Sequence, residues 1–103
     1  MKNLLIYNKI TNLKKLFLND GFIIDGIFGS YARGEETQKS DVDILYHLNQ
    51  TFYEKYSGFK GFQKLDEIKT IISQTLNKNI DLAPKTNLSK TAQKYILNEV
   101  VYV

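Results

Sequence analysis

The sequence has no cysteine, one proline and one histidine among its 103 residues. Without cysteine the chain cannot form a disulfide framework, a thiolate zinc site or a cysteine nucleophile. Its longest apolar runs span only a few residues and are too short to cross a bilayer. The N-terminus also lacks the long apolar segment of a secretory signal. We therefore expect a cytoplasmic protein with no membrane partner.

The composition is typical of one globular domain, with 43% hydrophobic and 24% charged residues. We interpret residues 1–103 as a single domain. Fourteen basic side chains against eleven acidic ones give a formal net charge of +3. This mild bias is compatible with binding a polyanion such as a nucleoside triphosphate or nucleic acid, and equally with having no anionic partner.

Apolar residues at helical spacing predict helices over 3–18 and 62–76, and a closing helix capped by Ser89. Residues 101–103 are expected to form a tail. The residues predicted to be buried are Ile6, Ile10, Leu13 and Phe17 in the first helix, Leu65, Ile68, Ile72 and Leu76 in the second, and Ala92, Ile96 and Val100 in the third.

Three short runs rich in β-branched and aromatic residues predict strands over 22–28, 42–48 and 79–83. We expect a brief helical turn capped by Ser30 after the first strand and a loop over 35–40. Residues 49–60 show no interpretable pattern. The resulting order is helix, strand, strand, helix, strand, helix. It predicts an α/β (α+β) domain with a small mixed sheet and packed helices.

The run GSYARG at 29–34 follows the first predicted strand. Gly29 permits close backbone approach to a ligand, and free N–H groups at a turn of this kind can hold phosphate oxygens. The Ser30 hydroxyl can add a donor. Taken alone, a Gly-Ser pair at a turn is usually only a turn.

Two aspartates, Asp41 and Asp43, stand two residues apart at the start of the second strand. Alternate strand residues face the same way, so the two carboxylates could bind Mg²⁺ together. Exposed surface acids are the alternative interpretation. Asp81, in the apolar context Ile80-Asp81-Leu82, would complete a three-carboxylate cluster if its strand lay beside the second. It could then bind metal or take a proton from an acceptor hydroxyl, or it could simply begin the turn toward Pro84.

In order and spacing, GSYARG, five residues and then SDVDIL at 40–45 closely resemble the signature of the DNA polymerase beta-like nucleotidyltransferase superfamily. More narrowly, they resemble the minimal nucleotidyltransferase (MNT) antitoxins that are encoded beside HEPN toxins. The signature covers residues 29–45, and the resemblance extends over nearly the whole chain. It implies the polymerase beta-like fold in a single minimal nucleotidyltransferase domain, 1–103.

The resemblance also implies site roles. The positions that match the family signature would bind two metal ions, expected to be Mg²⁺, and ATP as the substrate. These positions are Gly29 and Ser30 as the phosphate-binding corner, Asp41 and Asp43 as catalytic metal ligands, and Asp81 as a third catalytic carboxylate and metal ligand. Arg33 would bind phosphate of the nucleotide, or would brace the loop by pairing with an aspartate.

By resemblance, the function is transfer of AMP from ATP to a tyrosine hydroxyl of a partner HEPN RNase toxin, which silences the toxin. Two alternatives stay open. The protein could be a non-catalytic antitoxin that acts by binding alone, or a nucleotidyltransferase with a small-molecule or RNA acceptor. Relatives of the last kind usually carry an extra helical domain, for which 103 residues leave no space.

Two further features are interpreted as non-catalytic. His47 lies at the far end of the second strand from the aspartates, and we expect it to be structural. A lysine-interleaved aromatic segment could contact nucleic acid, but we favour a partner protein because aromatic residues are enriched at protein interfaces. Its aromatic residues are Tyr53, Tyr56, Phe59 and Phe62.

Overall fold

Helices and strands alternate along residues 4–86 and 88–103, the part of the chain that the computed structural model describes. A single turn of 3-10 helix, Leu18–Asp20, continues the first helix. The other elements are α1 (Leu4–Phe17), β1 (Phe22–Phe28), α2 (Gly29–Arg33), β2 (Val42–Leu48), α3 (Gln50–Lys55), α4 (Phe59–Leu76), β3 (Ile80–Pro84), α5 (Lys90–Glu99) and β4 (Val101–Tyr102).

The four strands form one mixed sheet in the order β3-β2-β1-β4. β1 runs antiparallel to both β2 and β4, whereas β2 and β3 are parallel. α3 and α4 make the crossover that a parallel pair requires. Because of this topology, the end of β1 and the starts of β2 and β3 meet at one end of the sheet. We call this end the acid edge, after Asp41, Asp43 and Asp81.

The core lies where α1 and α4 pack on the sheet, and it fixes the register of the strands. Each apolar side chain buried there contributes about 1.5–3 kcal/mol relative to an exposed one. Phe22 and Tyr46 stack across β1 and β2 with ring centroids 4.7 Å apart. Other buried residues are Ile6, Ile10, Leu13 and Phe17 of α1, Ile24 and Ile27 of β1, Val42 and Ile44 of β2, and Ile68, Ile72 and Leu76 of α4.

The sequence-based elements are largely confirmed. β1 and β2 have the predicted bounds, and β3 is displaced by one residue. α1 begins at Leu4 among the described residues, and the predicted start at Asn3 lies outside them. The uninterpreted segment contains α3, where the Asn49 side chain accepts a hydrogen bond from the Phe52 N–H. Leu65 is partly buried, not fully buried.

Two local predictions were wrong. Residues 101–103 are not a free tail, because β4 pairs with β1 beside Gly26. A Cβ at Gly26 would overlap the Val101 carbonyl oxygen, so the missing side chain admits β4. The turn after β1 begins at Gly29, with Phe28 and not Ser30 at the N-cap position.

α5 was only partly predicted. Ser89 caps it as expected, because its hydroxyl accepts a hydrogen bond from the Ala92 N–H at 3.1 Å. However, α5 contains no fully buried residue: Ala92 and Ile96 are half-buried, and Val100 follows the helix end. α5 therefore lies against the domain without entering the core. In the described part of the chain, no helix is both long and apolar enough to cross a membrane.

Candidate active site

The parallel pairing of β2 and β3 places Asp43 directly beside Asp81. The expected adjacency of these strands is thereby confirmed. Asp41 precedes β2 and lies two residues before Asp43, on the side that Asp43 faces in an extended chain. The interaction with the Asp81 side chain raises the pKa of Asp43. Asp43 is half-buried, whereas Asp41 and Asp81 are exposed.

The charges at the acid edge are poorly compensated. The pKa of Asp43 is raised to about 6, mostly by burial and additionally by the nearby carboxylates of Asp81, Asp41 and Glu99. Among residues 4–86 and 88–103, no lysine, arginine or histidine forms an ion pair with Asp41, Asp43 or Asp81. A bound cation would relieve this repulsion.

The donors at this edge are carboxylate oxygens, the ligand type that Mg²⁺ prefers. Within the described residues, no three acidic or histidine side chains already converge as a complete metal cage. Magnesium usually keeps several waters and substrate phosphates in its shell and does not require such a cage. The fit to Mg²⁺ therefore rests on two observations. The donors are carboxylate oxygens, and the charged form of Asp43 is disfavoured in the absence of a cation.

The Gly-Ser corner, formed by Gly29 and Ser30, meets the acid edge where Gly29 lies against Asp43. Gly29 has φ +75°, a conformation that side chains disfavour, and a Cβ there would overlap Asp43 Oδ2. Only glycine lets the backbone pass so close to this carboxylate. Ser30 is half-buried in the first turn of α2. The fold thus joins the two motifs that the sequence separates by a loop.

Glu99 is a site residue that sequence reasoning missed. Its Oε1 accepts a hydrogen bond from the Gly29 N–H at 2.8 Å, and its Oε2 pairs with Arg33 Nη1 at 3.0 Å. It also contributes to the raised pKa of Asp43. One signal was available, since an acid in the last turn of a helix opposes the helix dipole.

Arg33 has two glutamate partners. Its Nε donates to Glu35 Oε1 at 2.7 Å, and its Nη1 donates to Glu99. The hydrogen bonds to Glu35 and then Glu99 raise the pKa of the guanidinium. The sequence suggested an aspartate for the bracing role, and the partners are glutamates instead. Arg33 braces the corner in this structure.

His47 belongs to a separate contact. Its Nδ1 lies 2.8 Å from Oδ2 of Asp25, the extra residue at a bulge in β1. This pairing agrees with the structural role expected of His47.

The described surface carries open grooves of different character. A polar groove of about 560 Å³ opens beside Asp41, between the segments that lead into β2 and β3. An apolar groove of about 400 Å³ is lined by Phe52, Tyr53, Tyr56 and Phe62, among others. Phe59 and Phe62 are strongly exposed, whereas the Tyr56 hydroxyl donates to Asp20 at 2.6 Å. The aromatic segment therefore divides into a structural part and an exposed part.

Comparison with known proteins decides the family. Residues 10–103 match the nucleotidyltransferase domain family. The chain belongs to this family. One relative of this nucleotidyltransferase is the protein adenylyltransferase MntA of Thermococcus cleftensis, 36% identical over 78 residues, covering 76% of this chain and 71% of the relative. Another, from Methanocaldococcus jannaschii, is named "Putative protein adenylyltransferase"; it is 30% identical over 106 residues, with full coverage of both chains.

Solved structures confirm the fold. A structure described as a "putative minimal nucleotidyltransferase" superposes with a TM-score of 0.75 at 19% identity, covering all of this chain and 97% of the other. A toxin-antitoxin crystal structure with AMP-PNP superposes with a TM-score of 0.64 at 18% identity, covering 92% of this chain and 69% of the other. The chain is thus a nucleotidyltransferase with the minimal nucleotidyltransferase fold.

Proposed function

We propose that this nucleotidyltransferase is an antitoxin that transfers AMP from ATP to a tyrosine hydroxyl of a HEPN-type RNase toxin. The observation that carries the proposal is the pairing of Asp43 with Asp81 beside Asp41 and the Gly29 corner. The names of the relatives support protein as the acceptor. The toxin-antitoxin neighbour with AMP-PNP supports a toxin partner and an adenine nucleotide. We further propose that residues 1–103 act as one domain in the cytoplasm.

Asp41, Asp43 and Asp81 would hold Mg²⁺, in one or two ions. When bound, Mg²⁺ neutralises charge on the reacting phosphates and on the departing pyrophosphate. Asp43 is suited to this role because burial and the neighbouring carboxylates disfavour its charged form, and a bound cation would stabilise that form. The exposed Asp41 and Asp81 would complete the ligand set from either side.

The protein's own groups would position the substrates. The Gly29 N–H, the Ser30 hydroxyl and the Arg33 guanidinium would bind the triphosphate oxygens. The tyrosine oxygen then bonds to the α-phosphorus as the bond to the bridging oxygen of pyrophosphate breaks. The phenolic proton would pass to the exposed Asp81 where this carboxylate acts as the base and leaves the metal to Asp41 and Asp43. The polar groove beside Asp41 offers space for a substrate at this edge.

Intact mass spectrometry tests the proposal. The product of the neighbouring gene is incubated with the chain, Mg²⁺ and ATP, and an Asp41→Asn/Asp43→Asn variant serves as the control. We expect a mass gain of one or more AMP units that is absent in the control and absent when the acceptor tyrosine is replaced by phenylalanine. A stable complex with no mass gain would contradict the transferase and identify an antitoxin that acts by binding alone.

A further inference from the structure

Glu99 holds two donors that the proposed nucleotide site needs. One carboxylate spans the Gly29 N–H and the Arg33 guanidinium, with an oxygen on each at 2.8 and 3.0 Å. A phosphate group would present two oxygens to the same pair of donors. Because Glu99 already engages the Gly29 N–H and the Arg33 Nη1, a triphosphate that binds these same two donors must displace it.

Besides its favourable contacts with Gly29 and Arg33, Glu99 has surroundings that disfavour its charge. It lies near Asp43 and adds to the repulsion that raises the pKa of that carboxyl. It also occupies the last turn of α5, where the helix dipole disfavours an acid. A triphosphate would bring further negative charge to the same place. Electrostatics therefore favours departure of Glu99 when the nucleotide binds.

α5 is weakly held, so the departure would disturb little of the fold. It has no fully buried residue, and the Glu99 side chain is 28% exposed. The chain after it is anchored independently, because β4 pairs with β1 and the Val103 N–H donates to the Asp25 carbonyl at 3.1 Å. Glu99 can therefore release Gly29 and Arg33 while the sheet keeps its structure.

We propose that Glu99 is a residue of the nucleotide site that occupies the phosphate-binding donors in the free protein and yields them to the triphosphate. This inference rests on the phosphate-binding part of the proposed function. It makes Glu99 a determinant of nucleotide affinity, and it couples the position of α5 to occupancy of the site.

Calorimetric titration with AMP-PNP and Mg²⁺ tests the inference on the wild type, Glu99→Gln and Glu35→Gln. Glutamine keeps the size of the side chain but loses the charge that forms the ion pair with Arg33, so we expect affinity to rise about tenfold, the scale of one charge-assisted hydrogen bond. Glu35 also pairs with Arg33 but is 65% exposed. Its substitution is expected to change affinity less than about twofold.

Unchanged or weaker binding by Glu99→Gln would overturn the inference, and a folding defect could not imitate tighter binding. Hydrogen exchange of the wild type gives a second test without any substitution. We expect residues 90–99 to exchange faster when AMP-PNP binds, and unchanged or slower exchange would overturn the displacement. Binding without AMP transfer would contradict only the proposed function, whereas absence of AMP-PNP binding in every variant would overturn both.

Discussion

Two half-buried aspartates stand on neighbouring strands and have opposite surroundings. Asp25, at the bulge of β1, pairs with His47 at 2.8 Å, and its side chain is only 12% exposed. Asp43, near the start of β2, has Asp81, Asp41 and Glu99 as its charged neighbours. A partly buried acid that only maintains the fold needs a partner, because an unpaired buried charge is costly. The contrast supports the proposal that Asp43 serves binding and catalysis, whereas Asp25 has its partner within the fold.

The largest expected effect is the loss of AMP transfer on substitution of Asp43, with no loss of stability. Asp43→Asn should lower AMP transfer by at least about 1,000-fold, since a metal-bound carboxylate contributes several kcal/mol to the transition state. The melting temperature in metal-free buffer should be equal or higher, because the substitution removes like-charge repulsion. Transfer assays and thermal melts of the same preparation measure both. A variant that lost activity by unfolding would break the comparison.

A second substitution tests the contact between the corner and the acid edge. Gly29→Ala should reduce transfer by about 100-fold, because its Cβ would overlap Asp43 Oδ2 at a backbone position with φ +75°. Gly34→Ala is the matched control, since Gly34 has φ +72° and an added Cβ there would meet no described atom within 4 Å. It should cost about 1 kcal/mol of stability with little loss of transfer. Equal losses of activity in the two variants would show that backbone strain alone is responsible.

A third substitution tests Asp25, the aspartate that pairs with His47. Asp25→Ala should lower the free energy of unfolding by about 1–2 kcal/mol, because it removes the hydrogen-bonded partner of His47. Transfer activity should stay within about twofold of the wild type. Urea unfolding and the AMP-transfer assay check the two statements. A large loss of transfer with unchanged stability would assign Asp25 to the site and contradict the comparison.

The smallest expected effect is on the pH dependence of stability. The pKa of Asp43 is raised from 3.8 to about 6, so the folded state binds this proton more tightly than the unfolded state. Asp43 therefore favours folding below about pH 4, and this contribution is lost as pH rises to about 6. In metal-free urea unfolding, the wild type should lose stability relative to Asp43→Asn over this window. Parallel profiles would contradict the raised pKa.

The parts of the molecule that were predictable from sequence are those with local signals. β1 and β2 follow from dense β-branched and aromatic runs, and the helical stripes of α1 and α4 identify the core. The sequence alone identifies Asp41, Asp43 and Asp81 as candidate metal ligands. The sequence could place Asp81 beside Asp43 only on the condition that their strands are neighbours, and the parallel pairing of β2 and β3 meets that condition.

The missed features depend on tertiary contacts. β4 forms because Gly26 leaves room for it, although its two residues carry no periodicity of their own. Glu99 reaches Gly29 only because α5 returns to the corner. α3 has six residues, too few for a helical pattern to emerge from the sequence.

The central claim is that the acid edge is a metal and nucleotide site, and thermal melting with Mg²⁺ and AMP-PNP tests it most directly. The wild type and Asp25→Ala should both gain several degrees on adding Mg²⁺ and AMP-PNP together, since a ligand that binds only the folded state stabilises it. Asp43→Asn should gain little. An equal gain in Asp43→Asn, or no gain in the wild type, would contradict the account.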